Sequence, residues 1–389
     1  MFRSGAGGWK LGVGSWRLAV AGAVLSLPAL VYAQDAPKPA EPKVSFSGYI
    51  QPRYDRFSLS GETSDTVFLR RAVFAVKANL APSWNAELQL DFGPPASSGD
   101  RILVKDAVLR YTGWTPQGVT ITIGNQKMPF SLSSMQSAAR RSHVERPFTG
   151  SSDFGAPGRS IGLRADGWHA DRTIHWSAVL ASSFVSPSAR LTNIRGIAES
   201  RPGWSEGRLV VGRFELHPFG EVPLSQGDLE RGPTRLLIAA AAYRWTNDYD
   251  VVAQGGDTVY ASDVTGFEIS GGLRRAGLSL DAEIQRIAGR AEDPVVSSGL
   301  YVLGEANLDK ASLEAGYMLW RTHLEATGAF DVLDAEAYAE PWQRASVGMN
   351  WYVIGHAVKF SVMHRESFNT NGVGNVRSRS TYVQSHFAF

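Results

Sequence analysis

From Val44 to its last residue the chain breaks into short segments whose alternate positions carry different chemistry, and no segment has a convincing helical period. The clearest is WNAELQLDF at 84–92. Trp84, Ala86, Leu88, Leu90 and Phe92 share one face, and Asn85, Glu87, Gln89 and Asp91 share the other. A period of two puts these sets on opposite sides of a β-strand. Four polar side chains in strict alternation cannot enter a dry core unpaired, so that face must meet water. The water lies either outside a soluble sheet or inside a barrel.

Further candidate strands fall at 44–55, 68–80, 104–112, 119–127, 160–166, 172–182, 208–218, 235–246, 263–274, 278–286, 298–308, 311–319, 343–353, 356–366 and 380–389. With 84–92 they make about sixteen, an even number as single-chain bacterial barrels have. Their connections sort by length. Long ones, such as 56–67, 128–159, 183–207 and 320–342, follow odd-numbered strands, and short ones, such as 81–83, 275–277, 309–310 and 354–355, follow even-numbered strands. Only the polar stretch 219–234 breaks the rule. Such sorting puts all long loops on one side of a β-meander and all tight turns on the other, the plan of a transmembrane up-and-down β-barrel. The fold class expected is all-β, an antiparallel barrel of about sixteen strands.

Both ends of the chain agree with an exported barrel. Arg3, Lys10 and Arg17 precede an apolar run from Leu18 to Val31 and then Val31-Tyr32-Ala33, the pattern of a secretory signal peptide. The expected organisation is a signal peptide over 1–33, a Pro-rich linker over 34–43 and the barrel over 44–389. Removing the leader takes three from the 39 Lys plus Arg and none from the 37 Asp plus Glu, leaving 36 against 37. A near-neutral chain carries no global field for nucleic acid. With no cysteine it has no disulfide framework either. The final segment STYVQSHFAF puts Val383, Phe387 and Phe389 on one face and Tyr382, Gln384 and His386 on the other. Phe389 is expected to close the barrel against the strand near Val44, and its segment resembles the C-terminal signal strand that the outer-membrane assembly machinery reads. The barrel's lipid contact is expected at the bacterial outer membrane, with Trp84, Trp176, Trp245, Trp351 and Tyr352 in an interfacial girdle.

Between Lys127 and Arg164 the chain concentrates charge: Lys127, Arg140, Arg141, Arg146, Arg159 and Arg164 stand against Glu145 and Asp153. Charge alone leaves two readings, a solvated surface loop or a loop that narrows a pore with a basic ring. Alternation also turns Arg53, Arg71, Lys77, Lys359 and Arg365 inward, together with Asp55, Glu87, Asp91, Asp281 and Glu283. The eight histidines lack metal-ligand spacing, His356 and His364 being expected on the outer face of one strand, and no nucleophile motif or phosphate-binding loop is present. Neither catalysis nor a cofactor is expected. An outer-membrane barrel enzyme and a structural or adhesion barrel with no open pore are the alternatives, and sixteen strands argue for an aqueous channel over both.

The stretches FLRRAVFAVKANL, WNAELQLDFG, VKDAVLRYTG, ITIGNQKMPFSLSSM, HVERPF, GRSIGLRADG and VGMNWYVIGHAVKFSV together resemble the phosphate-selective porin O and P family. The resemblance spans most of 44–389 and is strongest over 68–165 and 343–389. It implies a sixteen-stranded homotrimeric porin that passes small anions such as phosphate or polyphosphate, with the loop after the fifth strand folded inward. The basic residues that match the family pattern are Arg70, Arg71, Lys127, Arg146 and Arg159.

Overall fold

A computed structural model describes residues 43–93, 102–114, 118–169, 171–182, 184–186, 193–195, 207–246, 261–291, 294–295, 297 and 300–389. The expected signal peptide and the linker before Lys43 lie outside them. Among the described residues the chain runs β1 (Lys43–Leu59), β2 (Glu62–Ala81), β3 (Trp84–Asp91), β4 (Leu103–Trp114), β5 (Val119–Lys127), β6 (Arg159–His169) and β7 (Ile174–Ser182). A short hairpin, β8 (Phe184–Ser186) with β9 (Asn193–Arg195), comes next. Then follow β10 (Arg208–Leu216), β11 (Arg235–Thr246), β12 (Ala261–Arg275), β13 (Leu278–Ala291) and β14 (Glu305–Trp320). The last four are β15 (Leu324–Ala335), β16 (Trp342–Ile354), β17 (Val358–Phe368) and β18 (Arg377–Ala388). All but β8 and β9 form one closed antiparallel barrel of sixteen strands, each paired with its neighbours in the chain, and β1 closes on β18.

The closing seam is the one expected from the termini. Tyr49 pairs with Ala388 and Ile50 with Phe387. Gly48 and Phe389 exchange backbone hydrogen bonds at 3.1 and 3.0 Å. The alternation holds as well: Val383, Phe387 and Phe389 face outward, while Tyr382, Gln384 and His386 are buried inside. Leu88, Ile123, Leu163, Leu180, Phe214, Ile238, Phe267, Ile284, Leu313, Phe330, Val347 and Phe360 are likewise exposed on the outer face, a continuous apolar surface that suits lipid.

Sixteen strands were expected, but not these sixteen. Segments 298–308 and 311–319, expected as two strands joined at 309–310, are replaced by the single strand β14, which runs straight through Asp309 and Lys310. Asp309 faces outward 3.9 Å from Arg286, and Lys310 turns inward to donate to the Phe154 carbonyl at 2.7 Å. Two adjacent charges imitate a turn in the sequence, yet opposite faces of one strand accommodate both. Conversely β15 occupies most of the expected loop 320–342, because its outer face includes Ala326 and Gly328 and its apolar period is weak. The long loop expected at 56–67 is a two-residue hairpin, Ser60-Gly61, with φ of 51° and 92°. Of the expected girdle, Trp84 and Trp351 are exposed, but Trp245 and Tyr352 are buried inside. Tyr352 follows Trp351 in β16, so only one of the pair can face lipid. His356 lies in the turn before β17, while His364 is on that strand.

The connection after β10, residues 217–234, has the one turn-side length that the sequence left unexplained. It folds back into the barrel, where Val222 packs in a buried cluster with Leu132, Leu237 and Ala239. Lumen contents therefore arrive from both sides of the barrel.

Candidate functional site

The connection from Met128 to Gly158 turns into the lumen directly after β5. Its aromatic residues drive this: Phe130 and Phe148 are fully buried and join Met128, Phe154, Tyr243 and Trp245 in an apolar core within the barrel. Phe130 packs edge-on against Tyr243 with centroids 4.8 Å apart. A loop with such residues loses less by lining the wall than by facing water.

Polar anchors then set its path. α1 (Leu132–Met135) begins at Ser131, whose side chain accepts from the Ser134 N–H at 3.1 Å. The N–H groups of Ser131 and Leu132 donate to Glu268 at 2.5 and 3.0 Å, and that of Ser133 donates to Glu283 at 3.1 Å. At the other end Lys127 Nζ donates to the carbonyls of Ser134, Met135 and Gln136, each at 3.0 Å. Carboxylates meet the free N–H groups and an ammonium meets the free carbonyls, so both ends of the turn are satisfied electrostatically. Further along, Gln136 donates to Asp281 at 2.8 Å, Arg141 to Glu314 at 2.6 Å, and the Phe148 N–H to Asp331 at 3.0 Å. Arg344 lies 3.5 Å from the Phe148 ring centroid and adds a cation–π contact. Glu268, Asp281, Glu283, Glu314 and Asp331 thus hold the loop, and Glu268, Asp281 and Asp331 are also paired with Arg213, Arg274 and Arg344 of the wall.

The opposite wall, β1 to β6, is basic, and two β-bulges make it more so than alternation predicts. Gln51 pairs with Arg71 and Pro52 with Leu69, which leaves Arg70 as an extra residue. Arg71 Nη1 donates to Gln51 Oε1 at 3.0 Å, while Arg70 Nε lies 3.7 Å from Glu145 in the loop. Consecutive arginines therefore both reach the lumen. In the same way Gln89 pairs with Asp106 and Leu90 with Val104, so Lys105 is the extra residue. Lys105 Nζ reaches Asp91 at 3.3 Å, and Asp106 accepts two bonds from Arg159 at 3.1 and 3.0 Å. A bulge re-aims side chains by design, at the cost of one ladder position.

The ten basic residues expected to line a pore divide by partner. Arg53 is buried and pairs with Asp55 and Glu145. Arg141 is buried on Glu314, and Arg159 is paired with Asp106. Lys77 stands 3.8 Å from Glu87 at the turn side, well away from the loop. Lys359 donates to the Arg141 carbonyl, and Arg365 donates to Ser346 Oγ at 3.0 Å. Arg71, Lys127 and Arg146 bind only neutral oxygens; Arg146 donates to the carbonyls of Ser133 and Gln136 at 2.9 and 2.6 Å. Arg140 is exposed, with no carboxylate partner among the described residues.

The cluster itself contains Arg53, Arg70, Arg71, Lys105, Lys127, Arg146 and Arg159 against Asp55, Asp91, Asp106 and Glu145, a formal excess of 7 − 4 = 3. Burial would push the Glu145 carboxyl up, but Arg53, Arg70 and Arg71 outweigh it and hold it well below the usual carboxylate range. Burial and the nearby Arg141, Arg71 and Arg159 push the Arg146 guanidinium down to about 9. Burial is the larger cause and the crowded positive charge the second, and the guanidinium stays ionised at neutral pH. Lys105 escaped the sequence reading because a bulge is invisible to a period-two count. Arg70 entered it only through the resemblance.

A sixteen-stranded closed barrel with a lipid-facing exterior, water-seeking charge inside and an inward-folded loop has the architecture of an outer-membrane porin. Over residues 49–187 the chain matches the family described as Phosphate-selective porin O and P. The match bears out the resemblance over that part of the barrel and does not extend to 343–389. No curated protein sequence matches the chain. Among solved structures it is similar to the anion-selective porin from Comamonas acidovorans, at 10% identity and a TM-score of 0.58, covering 90% of this chain and 100% of that one. It is also similar to the outer membrane channel DcaP of Acinetobacter baumannii, at 10% identity and a TM-score of 0.59, covering 90% and 99%. The trimer form of OmpT, an outer membrane protein of Vibrio cholerae, matches at 13% identity and a TM-score of 0.55, covering 90% and 99%. At such identities these likenesses speak for the fold.

Proposed function

We propose that the chain, after loss of its leader, forms a passive outer-membrane channel for small anions, phosphate and polyphosphate among them, and assembles as a homotrimer. The observation that carries this reading is the sorting of lumen charge. Glu268, Asp281, Glu283, Glu314 and Asp331 are engaged by the inward loop and by Arg213, Arg274 and Arg344, whereas Arg71, Lys127 and Arg146 on the other side bind only neutral oxygens. Cations held by neutral groups keep their full charge for a passing anion, and rigid donors can replace part of its hydration shell without trapping it. Anions would travel along the wall from β2 to β6, where Arg110 and Lys77 around Glu87 continue the basic lining toward the turn side. The anion-selective porin among the structural neighbours and the family's name support the same reading. The C-terminal strand with its exposed Phe389 supports recognition by the barrel assembly machinery.

Reversal potentials across a planar bilayer in a potassium chloride gradient test the proposal. The expected outcome is anion preference, with chloride conductance reduced by added phosphate. Cation preference, or no conductance from folded protein, would sink it.

A further inference from the structure

Reversing the chain between neighbouring strands on the turn side takes very few residues, as 276–277 and 321–323 show. The insert 217–234 is far longer than that task needs, and what it touches explains the surplus. We propose that this insert positions the pore constriction, with Gln226 as the residue that fastens it to the inward loop.

Gln226 is 2% exposed, and the hydrogen-bonding groups of both its amide and its backbone N–H are engaged. Its Oε1 accepts from the N–H groups of Ser142 and His143 at 3.0 and 3.3 Å, and its Nε2 donates to Glu314 Oε2 at 2.8 Å. Its backbone N–H donates to the Arg140 carbonyl at 2.8 Å. The stretch Arg140 to His143 is thereby gripped at three points by one residue. Glu314 completes the arrangement: one oxygen accepts from Arg141 at 2.6 Å and the other from Gln226. The wall also touches this stretch, since Asn350 Nδ2 donates to the Ser142 carbonyl at 2.9 Å and Tyr352 meets the Ser142 hydroxyl at 3.1 Å. Those contacts take the carbonyl and the hydroxyl. The two buried N–H groups are served by Gln226, and without it they lose their acceptor.

The insert is itself braced by the barrel independently of the loop. Arg274 Nη2 donates to the Ser225 carbonyl at 2.7 Å, the Gly227 N–H to Ser279 Oγ at 3.1 Å, and the Gly277 N–H to Asp228 at 2.7 Å. Force therefore passes from wall to insert to Gln226 to the loop segment that bears Arg140, Arg141 and Arg146. Gln226 is a positioning residue: it touches no permeating ion, but it fixes where the loop's charges stand. Precise placement of a first layer by a second, rigid one is a general requirement of selective sites.

This inference rests on the channel reading. The experiment compares wild-type protein with Q226A and Q226N in planar bilayers, reading the anion-to-cation permeability ratio and the voltage at which channels close. E221Q serves as the control, since it breaks only the surface pair with Arg172 in the same insert. Both Gln226 variants are expected to lower the ratio by about twofold or more and to close at lower voltage, because a loosened basic constriction selects less sharply. E221Q should match wild type. If folded Q226A or Q226N channels behave as wild type, the positioning role is overturned. If neither variant gives folded barrel, Gln226 serves folding and the role is equally overturned. Wild-type channels that show no anion preference would instead refute the channel reading itself.

Discussion

Arg71 provides the sharpest test of how charge in the lumen acts, because it can be neutralised with little else disturbed. Its guanidinium donates to Gln51 Oε1 at 3.0 Å and has no carboxylate within pairing distance among the described residues. Arg71→Gln therefore removes one full positive charge without stranding a buried acid. For an ion passing about 6 Å away in a water-filled lumen of dielectric constant about 80, one unit charge is worth about 0.7 kcal/mol. That is about a threefold fall in local anion concentration and about a threefold rise for a cation, so the anion-to-cation ratio should drop about tenfold. The assay is the reversal potential of R71Q and wild-type channels, each measured near 0.1 M salt and again near 1 M. Screening length shrinks from about 10 Å to about 3 Å between those conditions, so the difference between the two proteins should nearly vanish at high salt. An R71Q channel with wild-type selectivity at low salt would refute the reasoning. A shift that survives high salt undiminished would show a change of pore shape rather than of field.

Arg141 should behave in the opposite way. Its charge is already neutralised by Glu314, which is 4% exposed, so R141Q should cost about 3–5 kcal/mol by leaving a buried carboxylate without its cation; folding yield and thermal unfolding should fall, while channels that do form keep their selectivity. Gly48→Ala should block barrel closure, because an added Cβ would collide with the Val73 carbonyl and sit 2.6 Å from the Phe389 ring; loss of the heat-modifiable barrel band on a gel reads this out. Acid sensitivity should come from His356 before Glu145. Burial, and then the charge of Lys359, push His356 from 6.5 down to about 3, so its contribution is complete above pH 6.5 and is lost as pH falls toward 3. Glu145 is depressed below the ordinary glutamate value of 4.5, so its contribution persists down to that pH and is lost only in stronger acid. Thermal melts between pH 7 and 4.5 should therefore decline in wild type and decline less in H356Q, whereas an unchanged slope would contradict the assignment.

How far the fold could be read in advance differs from strand to strand. Where large apolar residues alternate with polar ones, as in β3 and β18, faces were legible and boundaries fell within one to three residues of those observed. In β15 the outer face includes Ala326 and Gly328, and lipid tolerates small residues there, so the period faded and the strand was missed. In β14 an Asp-Lys pair looked like a turn and was only one residue facing each way. The two errors cancelled in the total of sixteen, which shows that a correct count is weak support for the segments behind it. The site was half legible. Basic residues were found correctly as inward-facing at Arg53, Arg71, Lys77, Lys359 and Arg365, but which of them keep their charge could not be told from alternation.

By itself the sequence determined the properties that depend on period and order: a barrel rather than a sandwich, which face of most strands meets lipid, and the closure of Phe389 on the strand that begins near Val44. These follow from neighbours along the chain, because a strand's two faces are set two residues apart. Tertiary structure decided everything that depends on pairing at a distance. Arg141 is neutralised by an acid 173 positions away, and the loop's helical turn is held by carboxylates 136 and 150 positions away. Two bulges, each a mismatch between strands and invisible within either one, turned Arg70 and Lys105 into the lumen. A period records where a side chain points, whereas the charge it has left to offer depends on what the fold brings to meet it.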